Sequence, residues 1–187
     1  MRSADVIQIA QVVSTGSHRA FAKLVEAHQA PVRRFLLRLT HGDAMAADDL
    51  AQETFIRAWQ HMRDFRGLSG FETWLMRIAY RLFLDEQRKT KQPALTIDDN
   101  SAAAQPAAFM EQSPVYAVPG AALKMDIDKA MATLSTDERT CVTLQCVEGY
   151  SIKDIASITQ MNENTIKSHL ARGKRHLAEY LRGNGYS

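Results

Sequence analysis

The stretch GYSIKDIASITQMNENTIKSHLARGKRHLAEYL, from Gly149 to Leu181, constrains the chain more than any other part of it. Ser151 with Asp154 three residues later is a capping-box start, and Ile152, Ile155, Ala156 and Ile158 keep one side of a short helix apolar. Gln160-Met161-Asn162 is the turn, and Asn162 caps a second helix whose Ile166, Leu170, Gly173, Leu177 and Leu181 recur at three- and four-residue steps and face inward. The stretch therefore reads as a helix-turn-helix. Its outward side is then forced to carry Thr165, Ser168, His169, Arg172, Arg175 and His176, flanked by Lys167 and Lys174. Short hydrogen-bonding groups mixed with long cations can read base edges and grip phosphates. Gln160 replaces the glycine that such turns favour, and Gly173 in mid-helix marks a close-packing point.

Upstream, Asp5 to Val13 and Arg19 to Leu39 have helical spacing, with a kink or fresh start expected at Pro31. Ala46 to Met62 separates cleanly on a wheel: Ala47, Leu50, Ala51, Thr54, Phe55, Ala58 and Met62 form a core side. Opposite lie Asp49, Gln52, Glu53, Ile56 and Gln60, with Trp59 on the border. A polar stripe with an aromatic anchor suits either a solvated helix or a protein-docking surface. A Gly-rich connection, DFRGLSGFE, leads to a helix from about Phe71 to Lys89 with Phe71, Trp74, Leu75, Ile78 and Leu82 inward. Thr73, Arg77, Tyr80, Arg81, Leu84, Arg88 and Lys91 share the other side, a composition that suits a single-strand platform of cations and a stacking ring.

Residues 93–120 hold four of the five prolines and no Lys or Arg, and read as a flexible acidic linker. It divides an all-α chain into two small helical domains, 1–92 and 121–187. In the second, helices at Leu123 to Thr133 and Ser135 to Val147, the latter opened by a capping box, precede the helix-turn-helix. The net charge of +2 is unevenly spread. Residues 1–92 carry 14 cations against 10 acids, 93–122 carry three acids alone, and 123–187 carry nine cations against eight acids. No apolar run approaches the roughly 20 residues a membrane span needs, and the N-terminus lacks a secretory pattern, so a cytoplasmic protein without membrane insertion is expected. Cys141 and Cys146, five apart, match neither a zinc pair nor a redox motif and are expected reduced and packed. The six histidines are scattered, and no nucleophile elbow, P-loop or HExxH occurs. Neither an enzyme nor a cofactor is expected.

The constellation resembles the extracytoplasmic-function group of sigma-70 family sigma factors. The resemblance rests on DDLAQETFIRAW (Asp48 to Trp59), FRGLSGFETWLMRIAYRLFLDEQRK (Phe65 to Lys89) and LSTDERTCVTLQCVEGYSIKDIASITQMNENTIKSHLARGKRHL (Leu134 to Leu177), in the group's order with a linker in its place. It implies a promoter-specificity subunit with core RNA polymerase (β′ and β subunits), promoter DNA and an anti-sigma factor as partners. Asp49, Leu50, Gln52, Glu53, Phe55 and Trp59 would dock on the β′ clamp helices. Phe65, Arg66, Trp74, Arg77, Tyr80, Arg81 and Arg88 would melt and hold the −10 element. Thr165, Lys167, Ser168, His169, Arg172 and Arg175 would read the −35 element. Arg81 stands where the group commonly has Asn, and His169 where it has Arg. The alternative is a dimeric helix-turn-helix regulator acting on palindromic half-sites without polymerase.

Overall fold

The computed structural model describes residues 3–91 and 121–186, all helical or turn among those residues. The expected linker at 93–120 lies outside them. The first body comprises α1 (Ser3–Thr15), α2 (His18–Leu39), α3 (Ala44–Gln60) and α4 (Phe71–Lys91), with a 3-10 turn at Met62–Asp64. Short polar caps start two of these: the Ser17 hydroxyl accepts the Ala20 N–H at 3.2 Å, and the Asp43 carboxylate accepts that of Ala46 at 3.0 Å. Leu24, Val32, Phe35, Leu36 and Leu39 on α2 meet Ala47, Leu50 and Ala58 on α3 and Phe71, Leu75, Met76 and Phe83 on α4 in one core. No fresh start occurs at Pro31: α2 is one helix from His18 to Leu39 with the proline inside it. Burial of α2 on both sides of the proline, from Leu24 to Leu39, offsets the one backbone hydrogen bond that proline cannot donate.

The second body holds α5 (Ala121–Ala132), α6 (Thr136–Val142), α7 (Ile152–Thr159) and α8 (Glu163–Gly183). The helix expected from Ser135 to Val147 is α6 followed by a π-helical turn, Thr143–Val147, closed by the Glu148 N–H on the Thr143 carbonyl at 3.0 Å. Ser135 and Glu138 form the expected capping box. Cys141 is buried, its thiol pushed up to about 12 by burial and by Asp137. Cys146 is exposed, against expectation, because the π turn rotates it to the surface. The helix-turn-helix has the expected bounds: Gln160 ends α7 in the left-handed region at φ 63°, and Asn162 caps α8 through the Asn164 N–H at 2.8 Å.

The expected inward side of α4 was too narrow. Thr73, Met76, Ala79, Tyr80 and Phe83 are buried along with Phe71 and Leu75, while Trp74, Ile78 and Leu82 are half-buried. The cause is that α4 packs on α2 and α3 with one side and on α7 of the second body with another.

Gly173 is the point of closest approach between α8 and α6, where a Cβ would lie 2.8 Å from Val142 Cγ2 and 3.4 Å from Glu138 Cβ. Val142 is β-branched and buried, so it has no free rotamer to yield into. Gly173→Ala should therefore destabilise the chain by about 1–3 kcal/mol in urea unfolding, despite the better helix propensity of alanine.

Candidate nucleic-acid and polymerase interface

Asp49 and Gln52 on α3 are exposed, and the half-buried Glu53 takes the Arg57 guanidinium at 2.7 Å. Leu50 and Phe55, which the resemblance counted among docking groups, are each only 9% exposed and belong to the core, and Phe55 also lines the groove beside the stripe. Trp59 is half-buried, stacked on His18 at 4.4 Å with Phe21 edge-on at 5.0 Å. Beside the stripe runs a groove of about 730 Å³ between α2 and α3, with Phe21, Val25, Ile56 and Trp59 among its lining. An exposed amide and carboxylate beside an apolar groove can seat a helix that carries both cationic and apolar groups.

On the opposite flank, Trp74, Arg77 and Arg81 converge with Arg57, His61 and Asp64 on a pocket of about 330 Å³. Phe65 leans on Phe71 and Trp74 at 5.5 and 5.3 Å. Arg66 and Arg81 are exposed, and Arg88 is exposed with Asp85 at 3.2 Å. Leu68, at the tip of the connecting loop, is 92% exposed and was not singled out in the sequence, although an apolar residue between Gly67 and Gly70 was the available signal.

Two of the expected strand-holding groups engage the second body. Arg77 donates from Nε to the Ser157 carbonyl of α7 at 2.7 Å, and from Nη2 to the Ser157 hydroxyl at 3.3 Å. Tyr80 is 2% exposed, and burial together with the nearby Asp137 of α6 pushes its hydroxyl up to about 12. The expectation that Tyr80 lies on an open cationic side is thus corrected: the second body covers it. The Lys91 side chain lies outside the described ones.

On α8, Thr165, Lys167, Ser168 and Arg175 are exposed as expected. His169 is largely covered, with Nε2 3.9 Å from the Asp137 carboxylate, and the Arg172 guanidinium is half-exposed. The structure thus brings the α8 set together on one side, and splits the α4 set between a pocket and a covered contact.

Comparison with known proteins gives these surfaces a family. Residues 24–92 match the family described as Sigma-70 region 2, and residues 124–177 the family described as Sigma-70, region 4. Over 184 residues the chain is 32% identical to the RNA polymerase sigma-H factor of Pseudomonas aeruginosa, covering 93% of this chain and 92% of that protein. It is 30% identical over 176 residues to the ECF RNA polymerase sigma factor SigW of Bacillus subtilis, covering 91% and 93% respectively. The chain belongs to the extracytoplasmic-function sigma factors, promoter-specificity subunits of RNA polymerase. Its fold is similar to that of the sigma factor RpoE from Bartonella quintana, solved with the anti-sigma factor NepR, at TM-score 0.66 and 27% identity over 87% of this chain and 96% of that one. It is also similar to CnrH, solved with the cytosolic domain of CnrY, at TM-score 0.68 and 23% identity over 98% and 100%. No helix among the described residues is long and apolar enough to cross a membrane, and no group of His, Cys, Asp or Glu among them could hold a metal ion.

In this sigma factor the two bodies are joined by a chain of polar groups that starts deep in the first. His28 is buried, with Nε2 3.3 Å from Asp5 and Nδ1 3.6 Å from Glu72, both ion-pair rather than hydrogen-bond geometry. The other oxygen of Glu72 accepts the Tyr150 hydroxyl of the second body at 3.0 Å. Burial alone lowers the pKa of His28, but the two carboxylates outweigh it and raise the value above the ordinary 6.5. A raised folded-state value means that protonated His28 contributes its stability in full below about 6.5, and that this is lost as pH rises through the folded value. The urea midpoint should therefore fall as pH is raised from about 6.5, and His28→Asn should remove most of that slope.

Proposed function

We propose that this sigma factor docks on the β′ subunit of core polymerase through the exposed Asp49, Gln52 and Glu53, with Trp59 and Ile56 filling the adjoining groove. Residues 1–92 and 121–187 act as two bodies tethered by 93–120. The Arg66, Trp74, Arg77 and Arg81 flank, with Arg88 further along α4 and Tyr80 when uncovered, holds the −10 non-template strand by charge and stacking. The exposed side of α8, with Thr165, Lys167, Ser168, Arg172 and Arg175, enters the −35 major groove, and His169 supports it from α8's covered edge. RpoE is solved in complex with the anti-sigma factor NepR, and by analogy an anti-sigma factor binds this chain; one covering the polymerase-docking surface would hold it inactive in the cytoplasm.

The observation that carries this reading is an asymmetry. Asp49 and Gln52 of the α3 stripe are exposed, whereas on α4 the half-buried Arg77 is bonded to α7 and Tyr80 is buried. Docking on polymerase can thus occur on the closed form, while strand capture requires the second body to move off α4. The free protein should accordingly bind promoter DNA weakly, since two weak modules gain affinity only when held at a set separation.

Two measurements test it. A Gln52→Ala/Glu53→Ala variant should keep its melting temperature and lose core-polymerase binding by roughly thirtyfold or more, the cost of hot-spot groups. Retained binding would remove α3 as the docking helix. Separately, electrophoretic mobility shifts at physiological salt should show no stable complex between the free protein and a promoter it transcribes. Nanomolar binding without polymerase would contradict the proposal.

A further inference from the structure

The carboxylate of Glu138 does two things at once. It closes the α6 capping box, accepting the Ser135 N–H at 3.2 Å while the Ser135 hydroxyl accepts its own N–H at 3.4 Å. It also reaches α8, with Oε1 3.4 Å from Arg172 Nε and Oε2 3.3 Å from His176 Nδ1, and its side chain is only 8% exposed. Gly173, next to Arg172, lets the two backbones approach at this point, so the carboxylate has little freedom to follow any other partner. From the other side His169 Nδ1 lies 3.0 Å from Arg172 Nη2, and His169 in turn leans toward Asp137. Arg172 is therefore held at Nε by a buried acid and at Nη2 by an imidazole, while its guanidinium remains half-exposed with Nη1 unengaged.

An exposed arginine on a helix ordinarily samples many rotamers, and ordering it for a base contact costs entropy at the moment of binding. Here that ordering is built in before DNA arrives. A fork of N–H donors held in one plane matches the O6 and N7 acceptors of guanine.

We propose that Glu138 is a positioning residue that sets Arg172 to read one guanine-containing base pair of the −35 element. The inference rests on α8 being the −35 reader. It differs from a plain structural tie in what it predicts: loss of the tie erodes preference at one base pair rather than transcription in general.

The test is run-off transcription by holoenzyme reconstituted from core polymerase, on promoters whose −35 element is varied one base pair at a time over a constant −10 element. Wild type should prefer guanine at one position by roughly tenfold, as a good bidentate contact gives. Glu138→Gln can still close the capping box, since glutamine serves there, but it lacks the charge that holds Arg172. It should reduce that one preference to about twofold or less with the other positions and core binding unchanged. Arg172→Lys, which cannot be held at Nε, should lose preference at the same position, and the double variant should lose no more. Unaltered preference in Glu138→Gln, or an even fall across all promoters, overturns the positioning role while leaving α8 as reader. A wild-type holoenzyme indifferent to every −35 change overturns both.

Discussion

The contact of α7 against α4 decides what state of the sigma factor is seen. At its centre the Arg77 guanidinium donates to the Ser157 carbonyl in the last turn of α7, where carbonyls lack intrahelical partners. A cation there also meets the negative end of the helix dipole. The same device recurs at the neighbouring edge: Arg139 is buried and spreads its donors over the carbonyls of Met131, Ala132 and Leu134 at the end of α5 and of Leu39 at the end of α2. Burial draws the Arg139 pKa below its ordinary value, yet a guanidinium stays charged there. Two arginines thus cap helix ends, and in both cases the cap crosses from one body to the other.

That choice of contact has an energetic consequence. Hydrogen bonds to a charged group contribute about 1.5–3 kcal/mol each, while an ion pair between two exposed side chains contributes about 1 kcal/mol or less. Tyr80 adds apolar burial, and the apolar residues of the two bodies run together in one core cluster, so the seam combines polar bonds with buried apolar surface. Its polar bonds lose little when water replaces their partners, so a binding partner that prefers the open arrangement has mainly the apolar contact to overcome. A partner shifts such an equilibrium only by its differential affinity for the two states. In the proposed function the −10 strand supplies that difference, by engaging Arg77 and Tyr80, which contact the second body in the closed form.

What the sequence disclosed and what it withheld follow from the range of the interactions. The helix-turn-helix, its cap at Asn162, the left-handed Gln160 and the close approach at Gly173 were legible because each is encoded within a few residues. The outward side of α8 was legible for the same reason, since helical periodicity fixes it once the inward side is known. Tyr80 and Thr73 were misplaced because their covering helices lie far away in the chain, as the Arg77 to Ser157 bond illustrates. No periodicity in α4 alone can report a second packing partner. The buried His28, flanked by Asp5 and Glu72, belongs to the same class, and so does the turn of Cys146 to the surface, which depends on a π turn that propensities do not mark.

The two kinds of joint in this molecule also explain why it can open without losing the shape of its readers. Between α6 and α8 the approach at Gly173 leaves no room for a methyl group, Val142 fills the seam, and Glu138 ties both helices at their surface. Such a joint is close-packed and deforms at high cost. Between α4 and α7 the joint includes guanidinium, carbonyl, hydroxyl and carboxylate groups, each of which finds an equivalent partner in water or on a phosphate, beside apolar contact continuous with the core. In the proposed opening, this joint with its exchangeable polar bonds parts and the α6–α8 joint persists. The second body then travels as a unit, and the arginine that α6 holds on α8 arrives at DNA already aimed.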